Sequence, residues 1–181
     1  MTYRKFITSV LKDPHIAALS KSSKFVCERV SREIKPGCKY IVEYGAGDGV
    51  ITKYLLRALP PDGKLVAIEK NKELLSELRR IEDKRLVSLD ADVVHVSKNL
   101  NALGLPKIHA IISGIPFSFL APQARRELVE RSHRALETGG LMLLYQHSFL
   151  MASMLADVFG GVHVSFEPRN FLPYFIMQST K

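Results

Sequence analysis

Short apolar, β-branched runs alternate with amphipathic stretches along most of this chain, and that alternation constrains the fold more than any other feature. KYIVEYG (39–45), KLVAIE (64–69), RLVSLD (85–90), HAIISG (109–114) and GLMLLYQ (140–146) read as buried strands. Between them, VITKYLLRAL (50–59, stopped by Pro60 and Pro61) and KELLSELRRI (72–81) read as helices. A weaker helix is expected near 96–103, and a clear one over PQARRELVERSHRALE (122–137), with proline at its start. A last helix is expected over about 149–159, and GVHVSFEP and LPYFIMQS then read as a closing antiparallel hairpin. Strand–helix alternation with apolar strands predicts a parallel sheet covered by helices on both faces. In such sheets ligands bind beyond the carboxyl ends of the strands, near the switch in strand order.

Composition narrows the setting. The 181 residues, 46% of them hydrophobic and 24% charged, suffice for one full core. The formal net charge of +8 predicts attraction to a polyanion, either nucleic acid or an anionic membrane surface. Cys27 and Cys38 are too few for a disulfide scaffold, which points to a reducing cytoplasm. His15, His95, His109, His133 and His163 show no ligand spacing, so no metal is expected. No apolar run reaches membrane-spanning length, and MTYRKFITSVLKDP lacks the apolar stretch and cleavage pattern of a signal peptide.

The loop after the first strand, VEYGAGDGVIT, carries Gly45, Gly47 and Gly49. A nicotinamide site would want G-x-G-x-x-G facing a pyrophosphate. Here the spacing is G-x-G-x-G, with Glu43 before it and Asp48 inside it. Two carboxylates suit a ligand that carries an ammonium and a sulfonium better than one that carries pyrophosphate. Glu69 ends the second strand about where an acid can take both hydroxyls of a ribose. Asp90, in LDAD, ends the third and could accept from an adenine amino group. Singly, each acid also reads as a solvated strand end or a helix cap; three at consecutive strand ends favour one shared ligand.

Together these residues resemble the class I S-adenosylmethionine-dependent methyltransferases, over about residues 20–181. The resemblance implies a Rossmann-like α/β fold: a seven-stranded, mostly parallel sheet with its last strand antiparallel and helices on both faces. It implies S-adenosyl-L-methionine as cofactor, with Ser23, Glu43, Gly45, Ala46, Gly47, Asp48, Glu69, Lys70, Asp90, Ala91 and Ser113 contributing to its site. It also implies one catalytic domain, 21–181, preceded by an amphipathic segment, 1–20.

The stretch SGIPFSFL, after the fourth strand, bears on the methyl acceptor. The rRNA adenine dimethyltransferases carry N-L-P-Y there, and this chain resembles them at Ile115, Pro116 and Phe117. Gly114 stands where their Asn stands, and their C-terminal helical lobe is expected to be missing. The compact bacterial phospholipid N-methyltransferases carry S-G-L-P-F or similar, and SGIPF is nearly the same. Their N-terminal pattern is matched by FITSVLKDP and LSKSSKFVCERV, with Lys21 replacing a proline. This second resemblance implies an acceptor site built from Ser113, Gly114, Ile115, Pro116, Phe117, Tyr145 and His147. Phe117, Phe119 and Tyr145 would face a methylated ammonium through cation–π attraction.

The N-terminus adds its own physics. Tyr3, Phe6, Ile7, Val10 and Leu11 form one helical stripe, with Arg4, Lys5 and Lys12 off it. Such a helix either packs on a core or lies in the interface of an anionic bilayer. On the helix over 122–137, Arg125, Arg126, Arg131 and Arg134 alternate with Glu127, Glu130 and Glu137, which reads as a solvated, self-paired face. The function expected from all this is N-methylation of a phospholipid amine, phosphatidylethanolamine first, by a protein peripheral to the inner membrane face in the cytoplasm. An RNA adenine N6-methyltransferase and a small-molecule amine methyltransferase are the alternatives.

Overall fold

A computed structural model describes residues 22–170 and 172–181. The expected amphipathic helix over residues 1–20 lies outside them.

The first helix, α1 (Lys24–Arg32), is capped by Ser23, whose side chain accepts from the Val26 N–H. It leads into β1 (Tyr40–Tyr44), α2 (Val50–Ala58), β2 (Lys64–Glu69), α3 (Lys72–Leu78) and β3 (Leu86–Asp90). Next come the single turn α4 (Val93–Val96) and a 3₁₀ stretch over Ser97–Leu103 in place of the one helix expected near 96–103. The physical reason is a non-helical Asn99 within that stretch. The chain continues through β4 (Ile108–Ser113), a 3₁₀ turn at Phe117–Phe119, α5 (Pro122–Ala135), β5 (Leu136–Gln146), α6 (Ala152–Phe159), β6 (His163–Glu167) and β7 (Tyr174–Thr180).

The seven strands form one sheet in the order β3-β2-β1-β4-β5-β7-β6. The pairs β1–β2, β1–β4, β2–β3 and β4–β5 are parallel; β7 runs antiparallel to both β5 and β6. β5 begins earlier than expected because α5 passes directly into it. An irregularity in the β4–β5 register, near Gly139 at φ 80°, absorbs the extra residues.

Alternation along β1 divides the core. Ile41 joins Val26, Val30, Ile51 and Leu55 on one face; Val42 and Tyr44 join Leu128, Val129, Leu144 and Leu155 on the other. The chain runs outward from β1 to β3 and then crosses back to β4. The switch in strand order therefore falls between β1 and β4, where a crevice opens beyond the carboxyl ends.

Candidate functional site

At that crevice lies a cavity of about 330 Å³, lined from β1, β2, β3 and β4 by Gly45, Glu69, Ala91 and Gly114 among others. The glycine loop meets it at Gly45. Gly45 and Gly47 take positive φ, 71° and 60°, which L side chains rarely adopt. The Gly45 and Ala46 N–H groups donate to the Ile68 carbonyl at 2.9 and 3.1 Å, which holds the loop over β2. A Cβ on Gly45 would come within 2.6 Å of the Ile115 side chain, so the loop after β4 closes directly on the loop after β1.

Glu69 organises the next wall. Its carboxylate accepts from the Gly47 N–H at 2.9 Å and from the Asn71 N–H at 2.8 Å. One acid thus fixes both the glycine loop and the entry to α3, and each oxygen keeps lone-pair capacity for a ligand hydroxyl. Ala91 and Asp92 continue the wall. Asp92 caps α4 through the Val94 N–H at 2.8 Å and pairs with Lys70 at 3.1 Å across the rim. Of the two acids in LDAD, the sequence points to Asp90. Asp90 is exposed beside Glu69 at the strand ends and does not line the cavity, while Asp92 does. The signal for Asp92 was its place as an N-cap before VVHV.

Glu43 lies deeper, fully buried. Its Oε2 accepts from the Thr52 hydroxyl at 2.7 Å, and its Oε1 has no partner among the described residues. Burial pushes this carboxyl up to about 8. Ser113 Oγ, at the end of the adjacent β4, is likewise buried and without a partner among the described residues. Unsatisfied buried oxygens are rare in folded proteins and call for an explanation, of which a bound ligand or water is one. Backbone at Gly45 and Gly47, the Glu69 carboxylate and the orphaned Glu43 oxygen fit a nucleoside that bears an ammonium. Asp48 is half-buried within the same loop.

The wall after β4 holds several of the residues expected to meet a methyl acceptor. Gly114, Ile115 and Pro116 line the cavity. A Cβ on Gly114 would overlap the Tyr145 hydroxyl and come within 2.5 Å of its Cζ, so Tyr145 leaves no room for a side chain there. Burial, then the charge of nearby Glu43, raises Tyr145 well above its ordinary value, so the phenol keeps its proton. The expectation for Phe117 needs correction. It is fully buried in the core with Tyr44 and Leu128, because the 3₁₀ turn rotates it inward, and Phe119 takes the cavity wall instead. Arg125 fastens this turn by donating to the carbonyls of Leu120 and Ser118 at 2.8 and 3.1 Å. It is therefore not part of a self-paired face, whereas Arg126 and Arg131 do pair with Glu130 and Glu127.

Two further residues sit away from the cavity. His147 stacks on Tyr174 with ring centroids 4.1 Å apart, and its Nδ1 meets the Pro173 carbonyl at 2.9 Å. Burial lowers its pKa and keeps it neutral, which suits a strap between β5 and β7. Ser23 donates its N–H to Asn170 Oδ1 at 2.7 Å and its hydroxyl to the Arg169 carbonyl at 2.8 Å. It pins α1 to the β6–β7 turn and does not line the cavity.

Comparison with known proteins places this geometry. Residues 41–140 match the model of a methyltransferase domain. The chain is similar to an ornithine lipid N-methyltransferase of Singulisphaera acidiphila, 25% identical over 162 residues, which cover 87% of this chain and 84% of that one. Among solved structures it is similar to a precorrin-6y C5,15-methyltransferase from Geobacter metallireducens, with a TM-score of 0.71, 18% identity and 90% of each chain covered. It is also similar to the 1,6-didemethyltoxoflavin-N1-methyltransferase of Burkholderia thailandensis, solved with its substrate and S-adenosylhomocysteine. That match has a TM-score of 0.65 and 14% identity, and it covers 100% of this chain and 91% of the other.

Proposed function

From the premise that this chain belongs to the methyltransferase domain family, we propose that it methylates an aliphatic amine on the headgroup of a membrane lipid. S-adenosylmethionine is the cofactor, and when bound it supplies an electrophilic methyl group on a sulfonium. Glu69 would hold its ribose, the backbone at Gly45 and Gly47 its approach, and Glu43 Oε1 its ammonium. Ala91 and Asp92 would wall its adenine.

The observation that carries the acceptor assignment is the overlap between position 114 and Tyr145. An adenine ring needs an amide side chain to grip its edge, and no side chain fits at 114 while Tyr145 is in place. A bare backbone, a protonated phenol behind it and the Phe119 ring suit a small amine that enters end-on. An aliphatic amine must shed a proton before it can attack. A dry apolar wall lowers its pKa without a dedicated base. The carbonyls at Gly114 and Ile115 can then aim the remaining N–H bonds. The similarity to an ornithine lipid N-methyltransferase supports a lipid amine over a free one.

Phosphatidylethanolamine and an amino-acid lipid such as ornithine lipid both present a primary aliphatic amine. Incubation with methyl-labelled S-adenosylmethionine and vesicles of either lipid separates these two sources. Label in the lipid phase of one arm identifies the substrate. Label found only in added RNA, or only in water-soluble amines, overturns the reading.

A further inference from the structure

The four most exposed large apolar side chains among the described residues are Phe149 (63%), Phe166 (49%), Phe119 (48%) and Leu150 (47%). Single exposed apolar residues are ordinary, but a clustered set is not. All four lie at the carboxyl edge of the sheet: Phe119 after β4, Phe149 and Leu150 after β5, and Phe166 at the end of β6, which runs parallel to β5. Phe149 and Phe166 both pack on Phe175, with ring centroids 5.4 and 5.3 Å away, so three aromatics form one continuous patch. Val164 extends it along β6, the edge strand.

Cations border this patch. Arg29 donates to the Phe166 carbonyl at 2.9 Å. Arg169 and Lys24 lie over the Phe25 ring, 4.3 and 5.2 Å from its centre. Arg29 and Arg169 share one buried carboxylate, Glu167, at 3.5 and 2.7 Å, so the three cations outnumber that anion and the border stays net positive, with the Arg169 side chain 59% exposed. Phe119 belongs to both regions, since it also lines the cavity. No described helix is long and apolar enough to cross a membrane.

We infer that Phe149, Leu150 and Phe166 dock this edge into the surface of an anionic phospholipid bilayer, with Arg29, Arg169 and Lys24 facing the lipid phosphates. Aromatic rings beside cations favour the boundary between headgroups and acyl chains, and anionic lipid attracts the basic fringe. The inference rests on the lipid-acceptor reading in one respect: docking here sets the cavity mouth against the leaflet, so a headgroup can enter while its tails stay in the bilayer.

The sequence contains no tryptophan, which makes a single introduced indole a clean reporter. Phe149→Trp and Phe166→Trp in the full chain should shift emission to the blue on vesicles of phosphatidylglycerol and phosphatidylcholine, and brominated lipid should quench it. Vesicles of phosphatidylcholine alone should do neither. Val87→Trp, exposed on the opposite edge strand, should stay unchanged throughout. The double variant Phe149→Ser/Phe166→Ser should keep its thermal midpoint and lose about tenfold in vesicle affinity.

Emission already blue without vesicles, and moved to the red by deleting residues 1–21, would assign the patch to the N-terminal segment and overturn the inference. A blue shift that depends on protein concentration alone would assign it to a second copy and do the same. These vesicles carry no methylatable amine, so insertion into them reads docking alone. Insertion here with no label transferred to either amine lipid keeps the docking face and removes the acceptor assignment; label on an amine lipid without insertion here does the reverse.

Discussion

The Tyr145 hydroxyl occupies the space that a side chain on Gly114 would need. Gly114 lies outside the positive-φ region, so the backbone itself would accept alanine, and the constraint is steric. Gly114→Ala should cost ~1–3 kcal/mol in urea unfolding through overpacking. In a Tyr145→Leu background most of that penalty should vanish. Additive effects of the two substitutions would show that they do not share the space.

Glu69→Ala removes the acceptor shared by the Gly47 and Asn71 N–H groups and the proposed anchor of the ribose. Calorimetry should show S-adenosylmethionine affinity falling by ten-fold or more, in line with ~1.5–3 kcal/mol for a charge-assisted bond. An unchanged affinity would move the ribose elsewhere.

Glu43 gives the protein a pH dependence of known sign. Its folded-state pKa of about 8 stands above the ordinary carboxyl value of 4.5, so the folded chain holds a proton that the unfolded chain releases. Stability should therefore fall as pH rises from the ordinary value toward about 8. A bound ammonium favours the carboxylate, so cofactor binding should tighten over the same interval and release protons. Glu43→Gln should flatten both profiles, read by thermal melts and by calorimetry in buffers of different ionisation enthalpy. A wild-type protein with no proton release on binding would detach Glu43 from the ammonium.

Phe117 and Phe119 should separate cleanly. Phe117→Ala empties a fully buried site and should destabilise by ~3–5 kcal/mol. Phe119→Ala should leave stability within ~0.5 kcal/mol while methyl transfer falls. Melting curves beside single-turnover rates decide. The opposite pattern would return the acceptor aromatic to Phe117.

The strand positions, the glycine turn after β1 and the place of Glu69 at the end of β2 were legible because apolar β-branched runs and the residues that punctuate them are local signals. Phe117 was not. Which of two aromatics in FSF faces the cavity depends on a 3₁₀ turn whose rotation is fixed by Arg125, from the next helix. Asp92 was hidden for a related reason. Choosing between two acids two positions apart means knowing where β3 stops and α4 starts. Ser23 and His147 carried polar groups at plausible positions. Their partners, Arg169, Asn170 and Pro173, lie far along the chain, beyond what local spacing can reveal. The exposed aromatics after β5 and on β6 are invisible as a patch until β7 brings Phe175 between them.

The contact between positions 114 and 145 also orders mutational history. Consider a related site with an amide side chain at the first position and a small residue at the second. Gaining tyrosine first would drive its ring into that side chain. Gaining glycine first only opens a void, which the tyrosine then fills. Of the two single-step routes to this wall, one passes through a foldable intermediate, and it begins at Gly114. The return journey runs through the same intermediate in reverse: with Tyr145 in place a side chain at 114 is blocked, so position 145 has to change first.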